Sequence, residues 1–115
     1  MEFINNEYQG CIDFLNDLSQ TCYECFCECL KATDLDKKAD LLKSLIECSE
    51  HAKLTTGFLA RKSMHTKEMA LISAHLARVT ADLCAEFPNE HLNLTKTVCL
   101  ETQQMIIETF DNDES

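Results

Sequence analysis

Cys22, Cys25 and Cys29 follow one another at spacings of three and four, the spacing at which side chains share one face of an α-helix. With Cys22 set at zero and about 100° per residue, Cys25 falls near 300°, Cys29 and Cys11 near 340°, Leu15 near 20° and Leu18 near 320°. All six occupy one narrow stripe, and Cys27 falls on the opposite side, outside it. A buried cysteine on its own is an ordinary small hydrophobe. Three on one stripe within eight residues offer adjacent thiolates, which can share a soft metal ion. The CxxC inside this run would suggest a redox pair only beside a strand-helix unit, and no such pattern surrounds it.

Other potential ligands are weaker. His91 lies on the flank of its helix stripe, and His51 lies at the edge of its own, one turn past Cys48; His65 and His75 point to solvent. Met64, Met69 and Met105 carry thioethers, but Met69 belongs with Ile72, Leu76, Val79 and Leu83 in a second apolar stripe, either core or subunit interface. Glu47 is followed at three by Glu50, and Glu50 by Lys53, so the Glu-x-x-His spacing of di-iron carboxylate bundles is missing. No phosphate-binding loop, dinucleotide fingerprint, HExxH or nucleophile elbow occurs, which argues against an enzyme.

The elements that must carry these groups are helical. With 115 residues, two glycines and one proline, the chain is one domain with few turn residues. Apolar residues repeat at three and four over about 5–31, 36–60, 64–86 and 89–110. Thr33 or Asp34 is placed to cap the second helix, Arg61 and Lys62 suit its C-terminal dipole, Ser63 is placed to cap the third, and Pro88 halts it. Residues 111–115 are expected to fray. Four helices of similar length with short connections predict an all-α, antiparallel up-down-up-down four-helix bundle.

Twenty acidic against ten basic residues give a net charge of −10, which disfavours nucleic acid and anionic membranes. The first residues carry acids where a secretory signal would be basic, and no apolar run reaches membrane-spanning length. The expected location is cytoplasmic, where eight cysteines point to metal binding rather than disulfides.

Laid along the chain from Cys11 to about Ile106, this pattern resembles the cysteine-rich four-helix-bundle copper-binding proteins, the cytosolic copper storage proteins among them. The matches are Cys11-Ile12-Asp13, Cys22, Cys25, Cys29, Glu47-Cys48, the Ser63 helix start, Cys84, His91 and Cys99. The resemblance implies a thiol-lined tube that binds Cu(I), and a homo-oligomer, a tetramer in that family. The chain departs from it at Leu15, Leu18, Leu41, Ala52, Ala70, Ser73, Ala77, Thr80, Leu92, Thr95, Thr102 and Ile106, where the family would place cysteine.

The expected metal ligands are therefore Cys22, Cys25, Cys29, Cys48, Cys84 and Cys99, with His91 and Cys11 as lesser candidates. Counting helix rise places Cys29, Cys84 and His91 at one end, Cys25 further in, Cys22 and Cys99 about a turn beyond, Cys48 deeper still, and Cys11 alone at the far end. The expected function is low-capacity thiolate binding of Cu(I), with Zn(II) as the second metal to consider. A metal-free helical scaffold that keeps the fold is the alternative.

Overall fold

A computed structural model describes residues 6–111. Four helices follow in order: α1 (Gln9–Cys29), α2 (Ala39–Ala60), α3 (Thr66–Cys84) and α4 (Glu90–Asp111), with a short 3-10 turn, Leu35–Lys38, leading into α2. Each packs against its sequence neighbours and α4 closes back on α1, giving the antiparallel four-helix bundle. The expected start of α1 near residue 5 and the tail at 112–115 lie outside the described residues, whereas Asp111 is the last residue of α4.

The helix phase read from the cysteine spacing is the observed one. Cys11, Leu15, Leu18, Cys22, Cys25 and Cys29 are all buried, and Cys27 is exposed. All twelve positions at which the resemblance leads one to expect cysteine are also buried, so they line the same interior. The hydroxyls among them find partners. Thr80, Thr95 and Thr102 donate to the carbonyls of Leu76, His91 and Val98 one turn back. Ser44 and Thr80 are 2.7 Å apart, and Thr55 and Ser73 are 3.0 Å apart. Among the described residues no buried side-chain nitrogen or oxygen lacks a partner.

The helix ends follow local chemistry that the pattern only partly anticipates. Asn6 Oδ1 accepts from the Tyr8 amide at 2.7 Å, while its Nδ2 donates to the carbonyls of Leu59 and Ala60 at the end of α2. One side chain thus opens α1 and closes α2. The end of α2 is a Schellman turn: the Ser63 amide reaches the Phe58 carbonyl and the Lys62 amide reaches that of Leu59, with Lys62 left-handed at φ 52°. Asn89 behaves as an N-cap for α4, its Oδ1 accepting from the Leu92 amide at 3.3 Å.

Two local expectations are corrected. Asp34 makes no capping bond, because its carboxylate takes the Lys38 ammonium at 3.2 Å instead. Ser63 accepts from the His65 amide at 3.0 Å in a turn ahead of α3, so that helix starts at Thr66. The second stripe of α3 is core only at its margin, where Leu76 and Leu83 pack against the interior. Ile72 and Val79 are exposed and Met69, Leu76 and Leu83 are half-buried, because the small residues Ala70, Ser73, Ala77 and Ala81 take the inner face.

Candidate metal centre

Three helices each send one thiol to the same point. Cys22 on α1, Cys48 on α2 and Cys99 on α4 have sulfurs all within 4.8 Å of one another, and every one is at most 1% exposed. Among the described residues this is the one group of three potential ligand atoms so close together. Cys48 lies level with Cys22 and Cys99 rather than deeper. α2 begins at Ala39 rather than at residue 36, so Cys48 lies fewer residues into its helix than the spacing predicts.

The three thiols hydrogen-bond to one another. Cys48 ionises most readily, because the Cys22 and Cys99 thiols donate to it, Thr80 adds a further hydrogen bond and His51 lies nearby. Cys22 is pushed far up by its hydrogen bonds to Cys48 and Cys99 and by burial. At Cys99 the hydrogen bond with Cys22 works downward, but the one with Cys48, together with burial, outweighs it and the net shift is upward. The group behaves as one coupled titration in which the first proton leaves easily and the others are retained.

Above this triad toward the end of the bundle lie Cys25, Cys29 and Cys84. Cys29 is held up to about 11 by burial and by the neighbouring Cys25, with which it also hydrogen-bonds. Cys84 is pushed up to about 12, first by burial and then by proximity to Cys25, Cys29 and Cys48. At the rim, His91 is exposed and its Nε2 stands 3.3 Å from Glu28 Oε1, so its ring faces a carboxylate rather than the thiols. His91 nevertheless lines the same small cavity as Cys29.

The remaining candidates lie elsewhere. Cys11 is buried at the far end of α1, donating to Thr109 Oγ1 at 3.2 Å, and Thr109 in turn donates to the Met105 carbonyl. Met64 is exposed, and Met105 packs near Cys11. His51 is more engaged than its edge position suggests. Its Nδ1 is 2.7 Å from Ser73 Oγ and 3.2 Å from Thr55 Oγ1, so it belongs to a hydroxyl network next to Cys48. Burial lowers its pKa, the Cys48 sulfur opposing the shift. The signal that could have found this network was the alignment of Thr55 with His51, one turn apart on α2.

What the site can do follows from its donors. It offers sulfur from all four helices, buried and free of disulfides, with no carboxylate among the converging groups. Such a set suits a soft monovalent ion that accepts two or three thiolates.

Comparison with solved structures places the fold in one company. The Cu(I)-bound copper storage protein BsCsp3 aligns with a TM-score of 0.85 at 17% identity, covering 90% of this chain and 97% of its own. Apo copper storage protein 3 from Bacillus subtilis aligns at 0.82 and 18% identity, over 89% and 97% of the two chains. A cytosolic copper storage protein from Streptomyces lividans, loaded with five coppers, aligns at 0.86 and 19%, over 91% and 92%. No curated protein matches by sequence. The copper storage protein family does match, over residues 4–109, and with nearly the whole chain accounted for, the protein belongs to that family.

Proposed function

We propose that the protein holds a small number of Cu(I) ions as cargo, bound as thiolates by Cys22, Cys25, Cys29, Cys48, Cys84 and Cys99. The convergence of the Cys22, Cys48 and Cys99 sulfurs within 4.8 Å carries this reading. The ions stay as Cu(I) and no bond of a substrate is made or broken, so the role is binding rather than catalysis. Its setting is the cytoplasm, where thiols stay reduced.

Capacity is small because the interior is short of sulfur. Ser73, Thr80, Thr95 and Thr102 offer hard hydroxyl oxygens already bonded to protein groups, and Leu15, Leu18 and Ile106 offer nothing. Copper is therefore confined to the triad and the half of the bundle above it. Cys11 stands apart and takes no ion in this scheme. Zn(II) is disfavoured against Cu(I), because a closed zinc site wants four tetrahedral ligands and the close group supplies three.

The test is an anaerobic Cu(I) titration against a competing chelator, with free thiols counted before and after. Tight uptake is expected to saturate at fewer ions than clustered thiols, and alkylation of the thiols is expected to abolish it while helicity persists. No tight uptake would overturn this reading in favour of a metal-free scaffold. Uptake on the scale of a fully thiol-lined bundle would overturn the low capacity.

The family resemblance extends to assembly, and we propose a homo-oligomer, a tetramer on that pattern. Exposed Ile72 and Val79 on α3, with Leu54 on α2, supply the apolar surface. Sedimentation at micromolar concentration is expected to show the assembled form, and a monomer would refute it.

A further inference from the structure

The thiol-rich mouth contains one charged group that sulfur ligation does not use. Lys38 ends the 3-10 turn ahead of α2, and its side chain is only 12% exposed. Its Nζ is 3.2 Å from Asp34 Oδ1 and 5.5 Å from the centre of the Phe87 ring. Lysine is seldom buried this far unless its charge is paired, and Asp34 is the partner here. The side chain lines a cavity of about 120 Å³ together with Glu28, Cys29, Asn89 and His91, and Cys29 is the single thiol that reaches it.

The charges around this cavity are unequal in depth. Glu28 is engaged by Lys31 at 2.7 Å and faces His91 at 3.3 Å. Asp34 is 43% exposed against 12% for Lys38, and it does not line the cavity. The ammonium is thus the less exposed member of its pair and shares the cavity with Cys29, on whose thiol Lys38 and Asp34 act in opposite directions.

We propose that Lys38 is a positioning residue for copper transfer, holding Cu(I) that arrives as an anionic bis-thiolate complex of a low-molecular-weight thiol against the Cys29 sulfur. This rests on the Cu(I) cargo reading above. Two thiolates on Cu(I) give the donor complex a charge of −1. The Cys29 thiolate adds to copper to form a three-coordinate species of charge −2. One donor thiolate then leaves with its electron pair. Copper remains Cu(I) throughout, and the Cys29 proton passes to the departing thiolate. Both the incoming complex and the exchange species are anionic, and the chain as a whole carries −10, so long-range electrostatics oppose the encounter. A partly desolvated ammonium beside the first thiol offsets that repulsion where the ligands exchange.

Stopped-flow transfer from an anionic donor, the Cu(I) bicinchoninate complex, and from a cationic one, the Cu(I) acetonitrile complex, tests the proposal. Lys38→Gln is expected to slow uptake from the anionic donor about tenfold, to leave uptake from the cationic donor unslowed and to leave the final copper content unchanged. Lys38→Arg should retain the wild-type rate. Lys38→Leu, which keeps the buried apolar stem, should behave as Lys38→Gln. A copper-free arm uses Cys27→Ser protein, in which the exposed thiol is gone: the rate ratio of anionic dithiobis(nitrobenzoate) to neutral dithiodipyridine should fall when Lys38 is replaced.

Equal slowing with both donors, or a reagent ratio that ignores Lys38, overturns the inference. Wild-type protein that takes up no copper overturns the cargo reading itself. Normal uptake with no dependence on Lys38 overturns only the positioning role of that lysine and leaves the cargo reading standing.

Discussion

The triple variant Cys22→Ser, Cys48→Ser, Cys99→Ser is expected to lose Cu(I) affinity by at least about 10³-fold at its tightest step, a difference of about 4 kcal/mol. Three soft donors converge there, and a serine hydroxyl is a hard, neutral replacement that Cu(I) does not favour. The fold should survive. An unpaired buried hydroxyl costs about 1–3 kcal/mol, but the same interior already shows hydroxyls satisfying one another, at Ser44 with Thr80 and at Thr55 with Ser73. Three serines at the triad would meet in the same way.

Helicity by circular dichroism and a chelator competition read the two outcomes separately. The double variant Cys25→Ser, Cys29→Ser should lower the number of ions bound while a tight one remains. Cys11→Ser should leave binding unaltered, since that thiol is at the far end with Thr109 as its partner. A triple variant that still binds as tightly as wild type would remove the triad from the site.

The contrast between those variants shows where the sequence speaks and where it stops. Helical period fixes the face, so the Cys11-to-Cys29 stripe and the outward Cys27 were legible from spacing, as were the four helices from the distribution of apolar residues. Depth depends on where each helix begins, and that is set by loop chemistry. Counting from residue 36 put Cys48 below Cys22 and Cys99, whereas α2 begins at Ala39 and the three sulfurs converge. Periodicity marks a stripe as apolar without saying what it meets. The Met69-to-Leu83 stripe on α3 looked as suited to a core as the Ala70-to-Cys84 face beside it, and only packing decides between them. The His51 network was hidden for a related reason: Ser73 comes from a different helix, and its 2.7 Å contact needs the bundle assembled.

The copper-free and copper-loaded proteins are expected to part in their pH profiles above about 8.5, where only the copper-free one falls. Burial holds Cys29 up to about 11 and Cys84 up to about 12, and Cys22 and Cys99 are raised as well, the former chiefly through its bond to Cys48. In the unfolded chain these thiols ionise at about 8.5. Below that value both states carry the protons and the stabilisation is fully present. Above it the unfolded state holds fewer protons than the native one, so stability falls as pH rises through the folded values. Cys48 runs the other way: its depressed pKa contributes stability above about 8.5 that is lost as pH falls through its folded value.

Copper reverses the balance of the raised thiols. Ligation removes their protons in the native state, so below about pH 8.5 the unfolded chain binds more protons, and loaded protein gains stability as pH rises. Each ion displaces protons on entry, and affinity should rise about tenfold per pH unit for each proton released. Urea unfolding of reduced protein from about pH 6 to 10 reads both slopes. The copper-free midpoint should fall above about 8.5, and the loaded midpoint should climb toward that pH and then level off. Parallel profiles with and without copper would mean that the buried thiols keep their protons when the metal binds, which thiolate ligation does not allow.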